Sequence, residues 1–454
     1  MIRHVAVIDI GKTNAKVALV ELTKPSEIAL RRTANAPVWQ APYPHHDVEA
    51  LWTFILNSLA DLNRERRIDA ISITTHGATG ALVDAAGELV LPVLDYEFNS
   101  PDQLAADYDA VRPPFAETGT PRLPIGLNLG AQFFWQQKRF PVEFAKSAAM
   151  LMYPQYWALR LTGVAANEVT SLGCHTDLWN PWTSDYSSLV DRMGWRPLMA
   201  PVRRAKDRLG SILPAIARLT GLDPATPVFC GLHDSNASLL PHLLSDRPPF
   251  SVVSTGTWVV SMAVGGKKVE LDAARDTLVN VNALGDPVPS ARFMGGREFS
   301  LLTEGQAQDW TEADVAAVLA RKASLLPSTQ QGSGPFPHRA AQWVNAEGLP
   351  PGQRFTAISF YLALMTVTCL ELIGGDGPTT VEGPFARNPL FIRMLAAATG
   401  RAVIASETST GTSIGAALLA SDGATVISKG ERTEPPADPA WHDYARAWQR
   451  VVGT

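Results

Sequence analysis

Asp9-Ile-Gly-Lys-Thr-Asn-Ala-Lys16 separates two apolar, β-compatible runs, Val5-Ala-Val-Ile8 and Val17-Ala-Leu-Val20. A turn of glycine and hydroxyl or amide residues with a carboxylate at its entrance points to phosphate. Backbone N–H groups around Gly11 and the side chains of Thr13 and Asn14 can line an anion-binding concavity. Lys12 and Lys16 can offset charge, and Asp9 can hold a hydrated divalent cation against the phosphates. The Gly-Lys-Thr triplet invites comparison with a P-loop, but that motif requires a glycine where Ala6 stands. A P-loop also opens a helix, whereas the residues after Lys16 continue as a strand. The turn is therefore expected to close a β-hairpin. Taken alone it is equally an ordinary hairpin turn, so its meaning depends on the rest of the chain.

The chain has 454 residues, long enough for two domains. Hydrophobic residues make up 46% and charged residues 18%, with a net charge of −5 and no long single-sign run. This balance argues against nucleic acid or an anionic membrane as partner. Cys174, Cys230 and Cys369 are odd in number, widely spaced and without a CxxC pair, which fits a reducing cytoplasm better than a disulfide framework. No cleavage-site pattern follows the first apolar run, so no signal peptide is expected. The apolar stretch 355–373 has nearly the length of a membrane span, but Ser359, three threonines and Glu371 interrupt it. A buried helix is the expectation there.

Strand-like and helix-like segments alternate, the mark of an α/β protein. Asp47 caps a helical spacing running from Val48 to Leu62. A strand follows at 70–75, ending at His76-Gly77, and 80–94 is expected to form a hairpin turning near Gly87. The prolines and charges of 241–250 mark a boundary, giving domains 1–245 and 246–454. Just beyond it, Ser251-Val-Val-Ser-Thr-Gly-Thr-Trp-Val-Val-Ser-Met-Ala263 repeats the grammar of the first hairpin, with Thr255, Gly256 and Thr257 at its turn. Internal repetition of this kind implies that the second half is a remote copy of the first, with two phosphate-facing turns.

Val228-Phe-Cys-Gly-Leu-His-Asp234 reads as a strand delivering a carboxylate to a helix start. Asp234 can serve as a helix cap. It can also accept the proton of a hydroxyl that attacks a γ-phosphoryl group, and one side chain can do both.

These motifs, with Thr74-Thr-His-Gly-Ala-Thr-Gly-Ala-Leu-Val-Asp84 and the glycine-bearing segment near Gly383, occur in the order found in FGGY-family carbohydrate kinases. The chain resembles that family over nearly its whole length, and within it most resembles L-fuculose and L-rhamnulose kinases. The resemblance implies an α/β protein of two ribonuclease-H-like (actin-like ATPase) domains with ATP and sugar meeting in a central cleft. Carried over, Asp9 to Lys16 is the first phosphate motif and Thr255, Gly256 and Thr257 the second. Asp9 and Asp234 lie at Mg2+, and Asp234 is the general base. His76, Gly77 and His233 fall at sugar-contacting positions. A lone histidine is as readily structural, and Trp135, Trp157 and Trp179 are expected in core or inter-helix packing, with stacking on a sugar face the alternative.

Two departures from the family pattern bear on specificity. Where many members carry Trp-x-Asp-x-Arg, this chain has Leu94-Asp-Tyr-Glu-Phe98, so Asp95 and Glu97 are the substitute sugar-binding acids. The run of three glycines in the adenosine region is replaced by Val381-Glu-Gly-Pro-Phe-Ala-Arg-Asn388, leaving Gly383, Pro384 and Asn388 as the adenosine candidates. The expectation is a cytoplasmic ATP- and Mg2+-dependent kinase of a small ketose, with no nucleic-acid or membrane partner and with room for a homodimer. Its rivals are a polyol or aldose kinase and a catalytically weak sugar sensor.

Overall fold

The computed structural model describes residues 2–304, 309–406, 411–421 and 430–453. The chain divides into two compact units. The first holds the described residues to Ser245 together with 279–287 and 411–421, and the second holds the remainder.

In the first unit, β1 (His4–Ile10) and β2 (Asn14–Glu21) form the antiparallel hairpin that the turn residues predict, closed by Gly11 N donating to Asn14 O at 2.9 Å. β3 (Ser26–Ala34) continues the sheet beyond β2. On the other side of β1 lie β4 (Ala70–Thr75) and Pro227–Phe229, both parallel to it, and then an antiparallel edge strand, Arg208–Ser211. β1 is buried along its whole length, as the apolar run Val5-Ala-Val-Ile8 at its centre requires, and it takes His4 and Asp9 into the interior with it. Ala6, Ile8 and Ile10 face one core and Val5 and Val7 the opposite one, following the two-residue period of a strand. The first core is covered by α1 (Val48–Glu65), whose N-cap Asp47 accepts from Ala50 N at 3.0 Å. The second is covered by the helices Asp234–Ser245 and Gly411–Leu418.

The second unit repeats this order. Phe250–Thr255 and Val259–Val264 form its hairpin, and Pro287–Phe293 continues beyond it. Thr379–Glu382 and Val403–Ala405 lie parallel on the far side, and Glu431–Thr433 is the antiparallel edge. Each unit thus carries a hairpin, two parallel strands and an antiparallel edge in the same sheet positions. The long helix Pro351–Leu372 has the length and apolarity of a membrane span, but its apolar residues are packed inside the core of the second unit.

The hairpin expected over 80–94 forms at its start only. The chain turns at Gly87, whose N donates to Asp84 O at 3.0 Å, and Val83 and Leu89 bridge, with Asp84 N donating to Glu88 O at 2.9 Å and Val90 N to Leu82 O at 3.0 Å. Gly80–Val83 also pairs, over its whole length, with Ala149–Met152. The returning arm contains Pro92, which has no N–H to give to a longer ladder.

Candidate active site

Strand register builds the edge of the first unit that carries the candidate residues. Asp9 and Leu232 each lie opposite Thr74, and His233 lies opposite Thr75. Three parallel strand segments therefore end abreast and bring Asp9, His76 and Asp234 to one edge, the side where open α/β sheets bind ligands. Asp9 is buried, and burial pushes its carboxyl up to about 6 against the pull of Lys16, whose Nζ lies 3.3 Å away. The charge of Asp234 raises it further, so the two carboxylates sense each other. Lys16 also lies 3.4 Å from Glu27.

Asp234 is the first residue of its helix, and its Oδ1 accepts from Ser235 N at 2.6 Å. About a third of its side chain, 34%, stays exposed, leaving carboxylate surface for a ligand. Burial raises its carboxyl above the usual range, and His76 opposes that shift. His233 Nε2 stands 3.1 Å from Asp234 Oδ1, on a ring that burial lowers to about 4 and so keeps neutral at pH 7. Gly77 makes this arrangement possible, since a Cβ there would fall 2.8 Å from His233 Nε2. His76 is likewise buried and lowered to about 4. Its Nδ1 lies 2.9 Å from Gly77 O, which fixes the proton on Nδ1 and makes Nε2 the acceptor. Tyr96, Tyr153 and His46 surround that ring at 5.3 to 5.6 Å between centroids.

Behind His233 lies a support that sequence reading missed. Thr170 Oγ1 accepts from His233 N at 2.9 Å and donates to Glu168 Oε2 at 2.5 Å. Glu168 is fully buried, and burial pushes its carboxyl up to about 8, so it is largely protonated at neutral pH. Nothing in the local sequence marks an acid as buried.

Lys12 points to Asp95, with which it is ion-paired, and its Nζ is 3.5 Å from Glu97. Thr13 and Asn14 are exposed at the tip of the turn, where Asn14 Nδ2 donates to Thr13 Oγ1 at 3.0 Å. The first unit therefore gathers Asp9, Lys12, Lys16, His76, Gly77, Asp95, Glu97, His233 and Asp234. Trp135, Trp157 and Trp179 are instead buried in apolar cores.

In the second unit, Gly256 and Thr257 open onto a cavity of about 740 Å³ that Pro384 and Asn388 also line. The hydroxyl of Thr255 is committed within the fold: it donates to Glu382 O and accepts from Phe385 N at 3.1 Å. Gly383, at φ 83°, lies against Thr255, where a Cβ would meet the carbonyl oxygen at 2.0 Å. Asn388 caps the following helix by accepting from Leu390 N and Phe391 N at 3.1 and 3.2 Å, while its Nδ2 donates to Ser359 Oγ at 3.0 Å. Phe385, which stands in the altered glycine run that sequence reading singled out, supplies one apolar wall. Phe299, Phe355 and Trp310 supply the others and Arg297 and Arg387 supply charge, none of which sequence reading placed here. The pair Gly295-Gly296 is the one local feature that could have marked the place, since a Cβ on Gly296 would meet Gly256 O at 1.9 Å. Among the described residues, no group of three or more His, Cys, Asp and Glu side chains is arranged to hold a metal ion.

Comparison with known proteins agrees with this arrangement of units and turns. Residues 4–241 match the N-terminal domain of the FGGY family of carbohydrate kinases, and residues 247–428 match the carbohydrate kinase FGGY C-terminal domain. The L-fuculokinase of Salmonella typhi is 26% identical over 275 residues, covering 58% of this chain and 57% of that protein. The probable L-xylulose kinase of Pasteurella multocida is 26% identical over 279 residues, covering 57% of this chain and 55% of that protein. The chain thus spans little more than half the length of these curated relatives. A carbohydrate kinase from Novosphingobium aromaticivorans superposes with a TM-score of 0.92 at 38% identity, covering 100% of this chain and 99% of that one. With both family domains matched across two copies of one fold, the chain belongs to the FGGY family of carbohydrate kinases.

Proposed function

We propose that the protein is an ATP-dependent kinase of a small sugar, a ketose of the 6-deoxyhexulose or pentulose kind, acting in cytoplasmic carbohydrate catabolism. The observation that carries this reading is the placement of Asp234. It is a partly exposed carboxylate at the carboxyl edge of parallel strands, beside a neutral histidine and within electrostatic reach of Asp9. The names of the fuculokinase and xylulose kinase relatives support a ketose as acceptor.

In this reading, the sugar hydroxyl oxygen attacks the γ-phosphorus of ATP while its proton passes to Asp234, and the β–γ bridging oxygen leaves with ADP. Desolvation raises the affinity of Asp234 for that proton while His76 restrains the shift. His76 Nε2, fixed as an acceptor, orients a sugar hydroxyl. Each turn, 11–14 in the first unit and 255–257 in the second, offers backbone N–H groups to phosphate, and Lys16 adds positive charge at the first. The aromatic cavity of the second unit holds the nucleoside. Asp9 fits a role at Mg2+, because a buried carboxylate held up to about 6 is one that a nearby dication would stabilise in its charged form. Bound there with water and phosphate oxygens, the ion would supply neutralisation of phosphate charge.

Coupled ADP release, measured across ketoses, aldoses and polyols, tests the proposal. A ketose is expected to give the largest kcat/KM. Tight sugar binding by calorimetry without any sugar-stimulated turnover would favour a sensor and reject the kinase.

A further inference from the structure

Lys12 sits in the turn to which the proposed function gives phosphate, yet its side chain is committed elsewhere. Its Nζ is ion-paired with Asp95, lies 3.5 Å from Glu97 Oε2 and stands 4.6 Å from the centroid of the Tyr96 ring. An ammonium has three donors and no acceptor; Asp95 takes one of them, while Glu97 and the Tyr96 ring add charge and π contact. The pair with Asp95 is largely withdrawn from water, with the side chain of Lys12 14% exposed and that of Asp95 3%, whereas that of Glu97 is 60% exposed.

Asp95 is itself fixed in place. Its carboxylate accepts from Glu97 N at 3.1 Å, and its backbone N donates to Pro44 O at 3.1 Å. Tyr96 turns its ring to His76, 5.6 Å away, and its carbonyl accepts from Gly126 N at 2.8 Å. Lys12 thus ties the hairpin turn to the segment Asp95-Tyr96-Glu97 beside the histidine that faces the acceptor.

We propose that Lys12 is a specificity and positioning residue for the acceptor, and that it carries no nucleotide phosphate. It holds Asp95, Tyr96 and Glu97 in place and offsets part of their charge, building a pocket for an uncharged polyhydroxylated acceptor. Lys12 is held against Asp95 with its charge offset there, and the two acids repel a carboxylate. Sugar acids are therefore excluded. The inference rests on the sugar-kinase reading, but its test separates the two.

Calorimetry on the full chain gives the readout, with ADP and separately with L-fuculose, L-rhamnulose, D-xylulose and the anionic probe D-gluconate. In K12M, ADP affinity is expected to stay within threefold of wild type, while affinity for the best-bound ketose falls tenfold or more. Gluconate is expected to bind the wild type at least tenfold more weakly than that ketose. Removing one partner of a buried pair is destabilising, so the double variant K12M/D95N, which removes both charges, is measured alongside. It is expected to melt within a few degrees of wild type and to show the same selective loss of ketose. A tenfold loss of ADP affinity in either variant with ketose binding intact would overturn the role of Lys12 and leave the kinase reading standing. Ketose binding unchanged in both variants, or gluconate bound as tightly as the ketose, would also overturn it. A wild type that binds ADP but none of the ketoses would reject the acceptor reading, and this inference with it.

Discussion

The two hairpin turns occupy the same place in two copies of one sheet and carry different chemistry. In the first, Asp9 faces Lys16 across the ladder. At the matching position of the second copy, Ser254 faces Val260. The first turn is ringed by ionisable groups, namely Asp9, Lys12, Lys16 and, from neighbouring strand ends, His76 and Asp234. The second has no charged residue within the turn: its hydroxyl at Thr255 is spent inside the fold, and Gly256 and Thr257 front an aromatic cavity. Duplication supplied the same backbone cradle twice. The buried carboxyl and histidine groups lie around the first turn, and an aromatic cavity flanked by Arg297 and Arg387 lies beside the second; in the proposed reading the first copy handles the proton and the second the nucleoside. Burial is the main cause of the shift of the Asp9 carboxyl to about 6, with Lys16 opposing it and Asp234 adding to it, whereas the second copy places a serine, which has no carboxyl to shift, at the matching position.

The division can be broken first at Asp9. D9N, which removes the carboxylate but keeps the shape, is expected to lower kcat by about a hundredfold or more, as loss of a group aimed at transition-state charge does. The KM for the sugar should change little. A D9N enzyme with near-normal kcat in steady-state assays would show that the charge of the first turn is not used. The converse experiment belongs to the second copy. Stacking of a base on an aromatic side chain is worth ~1–3 kcal/mol, so F299A should raise the KM for ATP by about tenfold. Sugar KM and the pH profile of kcat should stay as they are, and a shift in that profile would deny that the second copy contributes shape alone.

The smallest effect concerns stability. Between the ordinary carboxyl range and about 8, folded protein keeps a proton on Glu168 that the unfolded chain has released. Stability from this group is therefore full below pH 4.5, falls as pH rises through that window, and levels off above it. E168Q cannot titrate. Its melting temperature relative to wild type should climb by a few degrees from pH 5 to pH 8, as read by calorimetry. Parallel melting curves across that range would mean that Glu168 is not protonated in the fold.

The fold was legible where local chemistry and pattern agree. The glycine and hydroxyl turn between two apolar runs specified both hairpins, and their repetition specified the duplicated architecture. Asp47 before a helical spacing specified α1. Asp234 could be placed because a strand, a carboxylate and a helix start are adjacent in sequence. What stayed hidden depends on distant partners. Lys12 meets Asp95 across 83 residues, and no feature of the turn announces it. Gly80–Val83 has a second partner far along the chain, beside the short turn at Gly87. The walls of the aromatic cavity of the second unit come from separate segments around Phe299, Trp310, Phe355 and Phe385, which only the tertiary fold collects. Asn388 was visible as a polar residue near the expected site, but its role as a helix cap follows from where the helix Pro389–Thr399 begins.

The central claim is that the first copy does the proton chemistry through Asp234. Wild type and D234N, assayed together for sugar-dependent ADP release and for sugar binding by calorimetry, test it most directly. A general base contributes about 10²- to 10⁴-fold, so D234N should lose turnover by at least two orders of magnitude while sugar affinity stays within a few-fold, the pattern of a group acting mainly in the transition state. Retained turnover, or a loss of turnover matched by an equal loss of sugar affinity, would contradict the account.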